Sequence, residues 1–148
     1  MAAPRVKARR SERGDVMAWF AMLILLVGVP LASLSIDITR LMYVRTHLQA
    51  ASDAACQAAA DALDVRAFRD SGTARIEPGL ARSQASQVFS ATVADAGRVQ
   101  FSPSLSLSLL SPLVVRCSAT ASVVPMIPIT PALTVRVTTT SELRVSTR

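Results

Sequence analysis

The sequence is poor in the residue types that catalytic and metal sites use. Among its 148 residues are one histidine and two cysteines, and aromatic residues make up 4%. Two cysteines cannot build a disulfide-rich scaffold, and with a single histidine they cannot close a zinc site on their own. A glycine-rich phosphate loop and a catalytic grouping of carboxylates are also missing. We therefore expect no enzyme activity, no cofactor, no metal and no small-molecule substrate, with His47 as a structural or solvated residue.

Charge is distributed in blocks along the chain. Residues 1–13 carry a net charge of +4, residues 16–36 carry none, residues 37–96 sum to −1 and residues 97–148 to +4. An uncharged run of this length matches the hydrocarbon core of a bilayer, where the backbone must be helical. The basic flank predicts a cytoplasmic N-terminus. The sequence thus predicts a basic cytoplasmic tail over residues 1–15, one transmembrane helix over 16–36 and an exported C-terminal domain.

Two other interpretations of the uncharged run stay open. It could be the buried core helix of a soluble protein, although the chain has little other mass to enclose it. It could also be a cleaved signal peptide, with Ser33-Leu34-Ser35 as the small-x-small cleavage site. The run is longer than a usual signal-peptide core, and the helical pattern continues through the supposed cut.

A long helix is predicted beyond the membrane. Glycine and proline are absent between Leu31 and Ser71. We expect an extracytoplasmic helix over residues 37–68, about 48 Å long. Its alanine-rich stripe lets another backbone approach closely, and the partner is either the chain's own C-terminal domain or a neighbouring subunit. The stripe follows helical spacing and consists of Leu41, Val44, Leu48, Ala51, Ala55, Ala58, Ala62 and Val65.

The same segment carries an ordered set of short motifs. Glu12-Arg13-Gly14 precedes the apolar span, an Asp-x-x-Arg sequence follows it, and a Leu-Gln-Ala-Ala-Ser-Asp-Ala-Ala box comes next. Over residues 12–62 this arrangement resembles the N-terminal module of the TadE/TadG-like proteins of tight-adherence (Flp-type) pilus systems. The resemblance implies a membrane-anchored structural or assembly component in the bacterial inner membrane, which contacts pilus-assembly or pilin subunits through the long helix. The motif residues are Gly14, Asp37, Arg40, Gln49, Asp53, Ala54 and Ala55.

The motif residues also have a physical interpretation. Asp37 and Arg40 lie three residues apart on one helical face, where they can pair at the membrane exit. Gln49 and Asp53 lie on the polar flank of the alanine stripe. They are either solvated helix surface or hydrogen-bonding groups for a neighbouring chain.

A departure from the pilin pattern separates two functions. Pilin-like relatives are cut after a glycine and carry a glutamate five residues into the mature chain. Gly14 could precede such a cut, but the fifth residue after it is Trp19. This favours an uncleaved anchor, and a processed minor pseudopilin incorporated in a filament remains the alternative.

The remainder of the chain, residues 69–148, is predicted to be a small α+β extracytoplasmic domain. Residues 69–77 are predicted to be a loop, and Pro78 suits the start of a helix that ends before Gly97. Further along the chain, apolar and polar residues alternate, and this period of two predicts about three half-buried antiparallel strands. Pro103 places the first of them at an edge of the sheet.

Two features of the exported part of the chain suggest contacts. Cys56 and Cys117 are candidates for a disulfide bond or are small core residues. The proline-rich connection around Met126, Ile127 and Ile129 is either a loop folded on its own sheet or an exposed apolar docking segment.

The polar face of the sheet suggests a third function, an exported binding module for anionic ligands. Arg116, Arg136 and Arg144 occupy even-numbered outward positions and could form a stripe. Stacking aromatics are absent from this face, so we expect no nucleic-acid partner.

Overall fold

The computed structural model of the chain describes residues 12–94, 101–125 and 131–144. The architecture is α+β, which confirms the predicted fold class. The chain divides into two compact units, Met1–Ile36 and Asp37–Arg148. In chain order the elements are α1 (Glu12–Leu23), a π-helical turn (Ile24–Gly28), α2 (Val29–Ala60), α3 (Val65–Ser71), α4 (Pro78–Thr92), β1 (Phe101–Ser111), β2 (Val114–Val123) and β3 (Leu133–Glu142).

The first unit is helical and apolar. None of the residues from Val16 to Ile36 is buried. The π-helical turn forms where the Val29 amide donates to the Ile24 carbonyl, five residues back. Pro30 follows directly, and a local π adjustment beside a proline lets an apolar helix keep its backbone groups bonded. The helix from Val16 to Ala60 is long and apolar enough to cross a membrane, by length and composition alone.

The second unit is built around a three-stranded antiparallel sheet in the order β1-β2-β3. In this register Cys117 of the central strand lies opposite Leu107 on one side and Thr139 on the other. β1 is an edge strand, as Pro103 predicted. A proline is tolerated there because one side of an edge strand makes no ladder hydrogen bonds.

One face of the sheet is covered by helices, and small residues dominate the contact. The inward positions of β2 are all buried, which confirms the alternation predicted for this strand. β3 is an edge strand, so only Val137 of its inward residues is fully buried. Helices α2 and α4 belong to the same hydrophobic cluster as the strands. Its alanines are Ala51, Ala55, Ala59, Ala62, Ala81, Ala85, Ala119 and Ala121.

Helix α2 ends at Ala60, so the predicted continuation to residue 68 is wrong. A new short helix, α3, begins at Val65 within the range predicted to continue α2. It extends to Ser71, at the start of the predicted loop. After the break Asp64 caps α3, where its side chain accepts a hydrogen bond from the Ala67 amide. Helix α4 begins at Pro78 as predicted and ends at Thr92, while Gly97 lies outside the described residues.

The segment between α2 and α4 is closed by contacts around Asp64. Its amide donates to the Arg75 carbonyl at 2.8 Å, and its carboxylate pairs with the Arg75 guanidinium at 2.7 Å. Leu63 and Ile76 form an isolated antiparallel bridge beside this pair. The Ala67 amide first, and Arg75 second, hold the pKa of Asp64 below its ordinary value.

We predict that the α3 segment opens when Asp64 is neutralised. A lowered pKa stabilises the closed form above the ordinary value of about 3.9 and loses that stabilisation as pH falls through the folded-state pKa. Amide hydrogen exchange in α3 should therefore accelerate in Asp64→Asn at neutral pH, and the wild type should approach the variant's rate on acidification. Asp70→Asn on the same helix is the matched control and should leave exchange unchanged. Equal exchange in wild type and Asp64→Asn at neutral pH would contradict the stabilising role of the Asp64 charge, because asparagine can itself cap a helix.

Candidate functional site

The most specific side-chain arrangement in the second unit lies where α2 crosses β3. Four α2 residues, Gln49, Ser52, Asp53 and Cys56, approach Thr139 of β3, and we call these five residues the polar seam. Spacings of three and four residues place the α2 members along one side of the helix. Thr139 occupies an inward-facing position of β3 because it is paired with the inward-facing Cys117.

Hydrogen bonds connect three helix side chains to the strand. Thr139 Oγ1 donates to Asp53 Oδ1 at 2.7 Å, and Gln49 Nε2 donates to the same oxygen at 2.9 Å. Ser52 is fully buried, and its hydroxyl donates to Thr139 Oγ1 at 3.2 Å. Thr139 therefore acts as acceptor and donor at once, which orients its hydroxyl. A buried hydroxyl without a partner is costly, so this arrangement fixes the register of helix against strand.

The seam gives Gln49 and Asp53 a role that the sequence did not indicate. Both side chains are exposed, yet both bond to the chain's own sheet. Of the other box residues, Ala54 is half-buried and Ala55 is fully buried in the helix–sheet contact. The motif box thus packs on its own domain, which was one of the two partners expected for the alanine stripe.

The polar residues near the start of the second unit lie one to three helical turns before the seam. Arg40 donates from Nη1 to the Val124 carbonyl at 3.1 Å, which links α2 to the end of β2. Asp37 is half-buried on the preceding turn. Tyr43 and His47 stack with ring centroids 4.3 Å apart, and the Tyr43 hydroxyl lies 3.2 Å from His47 Nε2. His47 is thus engaged by its own helix, in keeping with the structural role expected for it.

Cys56 of the seam lies beside Cys117, the residue paired with Thr139 on β2. Both are fully buried, and the structure holds them as free thiols. Burial, together with the adjacent Cys56 thiol, raises the pKa of Cys117 well above its ordinary value.

The arginines of the outward sheet face do not cluster. Arg116 lies opposite Thr140, and Arg136 lies opposite Thr120. Their rows are therefore four residues apart along β2, which is about 13 Å. Arg144 is exposed beyond the end of β3. The expected stripe is thus a set of separated charges on a face of serines and threonines.

Some candidate residues have no structural description. Met126, Ile127 and Ile129 of the proposed docking segment lie outside the described residues. Gly14 is different, because its backbone is described and lies within α1.

Ser52 and Thr139 are the seam residues that sequence reasoning missed. The signal for Thr139 was present, because a threonine stands at an inward position of an alternating strand. The sequence around Ser52 does not distinguish a buried serine from a solvated one. Its burial follows from the position of β3, whose Thr139 accepts its hydrogen bond.

The seam is suited to fixing two elements together. Across residues 12–94, 101–125 and 131–144, no three His, Cys, Asp or Glu side chains are grouped closely enough to hold a metal. Within the same ranges, every buried side-chain nitrogen or oxygen has a hydrogen-bond partner. Such a fully satisfied network rigidifies a contact.

Comparison with known proteins gives one match. Residues 14–62 match the model of the family described as putative Flp pilus-assembly TadE/G-like. The matched range is about a third of the chain and includes the apolar helix and the α2 side of the polar seam. Searches of curated proteins and of solved structures find no match.

We predict that Thr139→Val destabilises the folded second unit by about 1–3 kcal/mol, because the buried Ser52 hydroxyl loses its acceptor and Asp53 loses a donor. The substitution preserves side-chain shape and β-branching. Thermal unfolding of the full-length protein in detergent, followed by circular dichroism, measures the change. Thr138→Val on the outward face is the matched control, and its effect should stay within about 0.5 kcal/mol. Equal effects of the two substitutions would show that the seam bonds add no stability.

Proposed function

We propose that this protein is a membrane-anchored structural component of a Tad (Flp-type) pilus or a related secretion apparatus. In this proposal it crosses the bacterial inner membrane once, with its N-terminus in the cytoplasm and its α+β unit outside. The observation that carries the proposal is the family match over residues 14–62. That range takes in both the exposed apolar helix and the part of α2 that packs on the sheet.

The membrane anchor is supported by exposed apolar surface. Trp19, Leu25 and Leu26 are each about 70% exposed, and the residues from Val16 to Ile36 are similarly uncovered. An apolar helix with satisfied backbone groups and no protein cover is suited to a bilayer. The basic residues that precede it favour retention of the N-terminus in the cytoplasm.

The packing of α2 leaves one of its faces for partner subunits. Val44, Leu48, Ala51 and Ala55 of its stripe, together with the buried Ser52, face the chain's own sheet, so that side is occupied. The opposite side exposes Thr46 and Ala50. We assign contacts with other pilus-assembly or pilin subunits to this outer face. Ala50 is a suitable probe because its small side chain is exposed and makes no hydrogen bond.

Site-specific photocrosslinking tests this assignment. A photoreactive residue at Ala50 in the full-length protein, expressed with the rest of the apparatus, should give adducts with a pilin or an assembly subunit, identified by mass spectrometry. The matched control is a probe at Arg116, because that residue is exposed on the sheet face away from α2. We expect at least a fivefold lower adduct yield at Arg116.

Adducts of equal yield at both positions, or adducts at Ala50 with proteins unrelated to the apparatus alone, would contradict the proposed surface. Recovery of the intact protein in the soluble fraction of these cells would contradict the membrane anchor. The two outcomes are independent, since an anchored protein can still use another face.

A further inference from the structure

The only two cysteines of the chain lie against each other in the core of the second unit. Cys56 on α2 places its Sγ 3.6 Å from the carbonyl oxygen of Thr139 and 3.7 Å from that of Val115. Cys117 is directly opposite Thr139 in the β2–β3 ladder and shares the inward face of β2 with Val115. The helix cysteine therefore lies over the strand position that Cys117 occupies.

Apart from the weak hydrogen bonds that the Cys56 thiol donates to the Val115 and Thr139 carbonyls, the described surroundings give neither thiol another chemical role. Both are fully buried in the hydrophobic cluster, beside alanines of α2 and β2. No His, Asp or Glu among the described residues joins them in a metal-binding group. A buried thiol that stays protonated is a poor nucleophile and a poor target for solvent oxidants.

We propose that Cys56 and Cys117 form an intramolecular disulfide bond that ties α2 to the central strand. The proposal rests on the proposed function, because the exported side of the membrane is where a structural disulfide forms and persists. With just these two cysteines in the chain, a correctly folded monomer has one pairing available.

The bond forms by thiol–disulfide exchange with a thiol oxidase of the exported compartment. One cysteine thiolate attacks the disulfide of the oxidase and forms a mixed disulfide, and the second cysteine then attacks that bond. The two thiols together lose two protons and two electrons as the S–S bond forms, and the oxidase disulfide is reduced to two thiols. Because the folded pair is buried, the exchange takes place before α2 has packed on β2.

The consequence is a covalent constraint on the contact that organises the unit. The bond closes a loop of about sixty residues, which contains α3, α4 and β1 and restricts the unfolded chain. We expect the oxidised protein to unfold at a temperature roughly 10 °C higher than the reduced protein. Once folded, the buried bond should resist reductant in native membranes.

Thiol trapping on the full-length protein tests the proposal. Membranes are dissolved in acidic denaturant, and thiols are then labelled with a maleimide carrying a polyethylene glycol chain. We expect no label on the wild type before reduction and two labels after it. Cys56→Ser and Cys117→Ser should each take one label without reductant. Wild type made in a host without the thiol oxidase should take two.

Digestion by a protease added from the exported side tests the orientation of the protein independently of the disulfide. If the protease digests the sheet unit and the wild type takes two labels without reduction, the orientation stands and the disulfide is wrong. If the protease does not reach the sheet unit, the orientation is wrong and the disulfide proposal fails with it. An unlabelled wild type that migrates as a reducible dimer also overturns the proposal, because the bond is then between chains.

Discussion

The close contact between the small-residue face of α2 and the sheet determines the rest of the second unit. Alanines of α2 and alanines of β2 belong to one buried cluster, and small side chains leave room for the helix to pack on the sheet. In this contact Ser52 and Cys56 reach the strands, and Asp53 and Gln49 reach Thr139. A larger residue at Ala55 would overpack the contact and disturb these bonds. The polar seam and the cysteine pair are thus consequences of a surface built from small residues.

The helix from Val16 to Ala60 therefore has two kinds of surface. The residues from Val16 to Ile36 are apolar and exposed, whereas the buried positions of α2 begin at Val44 and are mostly small. The first kind of surface is suited to lipid, and the second to a closely packed sheet. In the proposed function, the outer face of α2 around Ala50 is the surface assigned to partner subunits.

Local signals in the sequence predicted much of this fold. The period-two alternation identified the inward residues of β2, Pro103 identified an edge strand, and Pro78 identified the start of α4. The end of α2 at Ala60 has no such local signal, and the segment that follows is held by Asp64 pairing with Arg75, eleven residues further along. The polar seam could not be predicted from the sequence either. Asp53 and Thr139 are separated by 86 residues, and their contact follows from a strand register that composition does not specify.

The central claim is that the uncharged helix lies in a bilayer while the sheet unit does not. Trp19 is the only tryptophan of the chain and lies near the start of that helix, so its fluorescence reports on this segment alone. In vesicles of phospholipids brominated on their acyl chains, Trp19 emission should be strongly quenched relative to unbrominated vesicles. A Trp19→Phe protein with Ser122→Trp on the outward sheet face should keep its emission in both. Equal Trp19 emission in the two kinds of vesicle would contradict the claim.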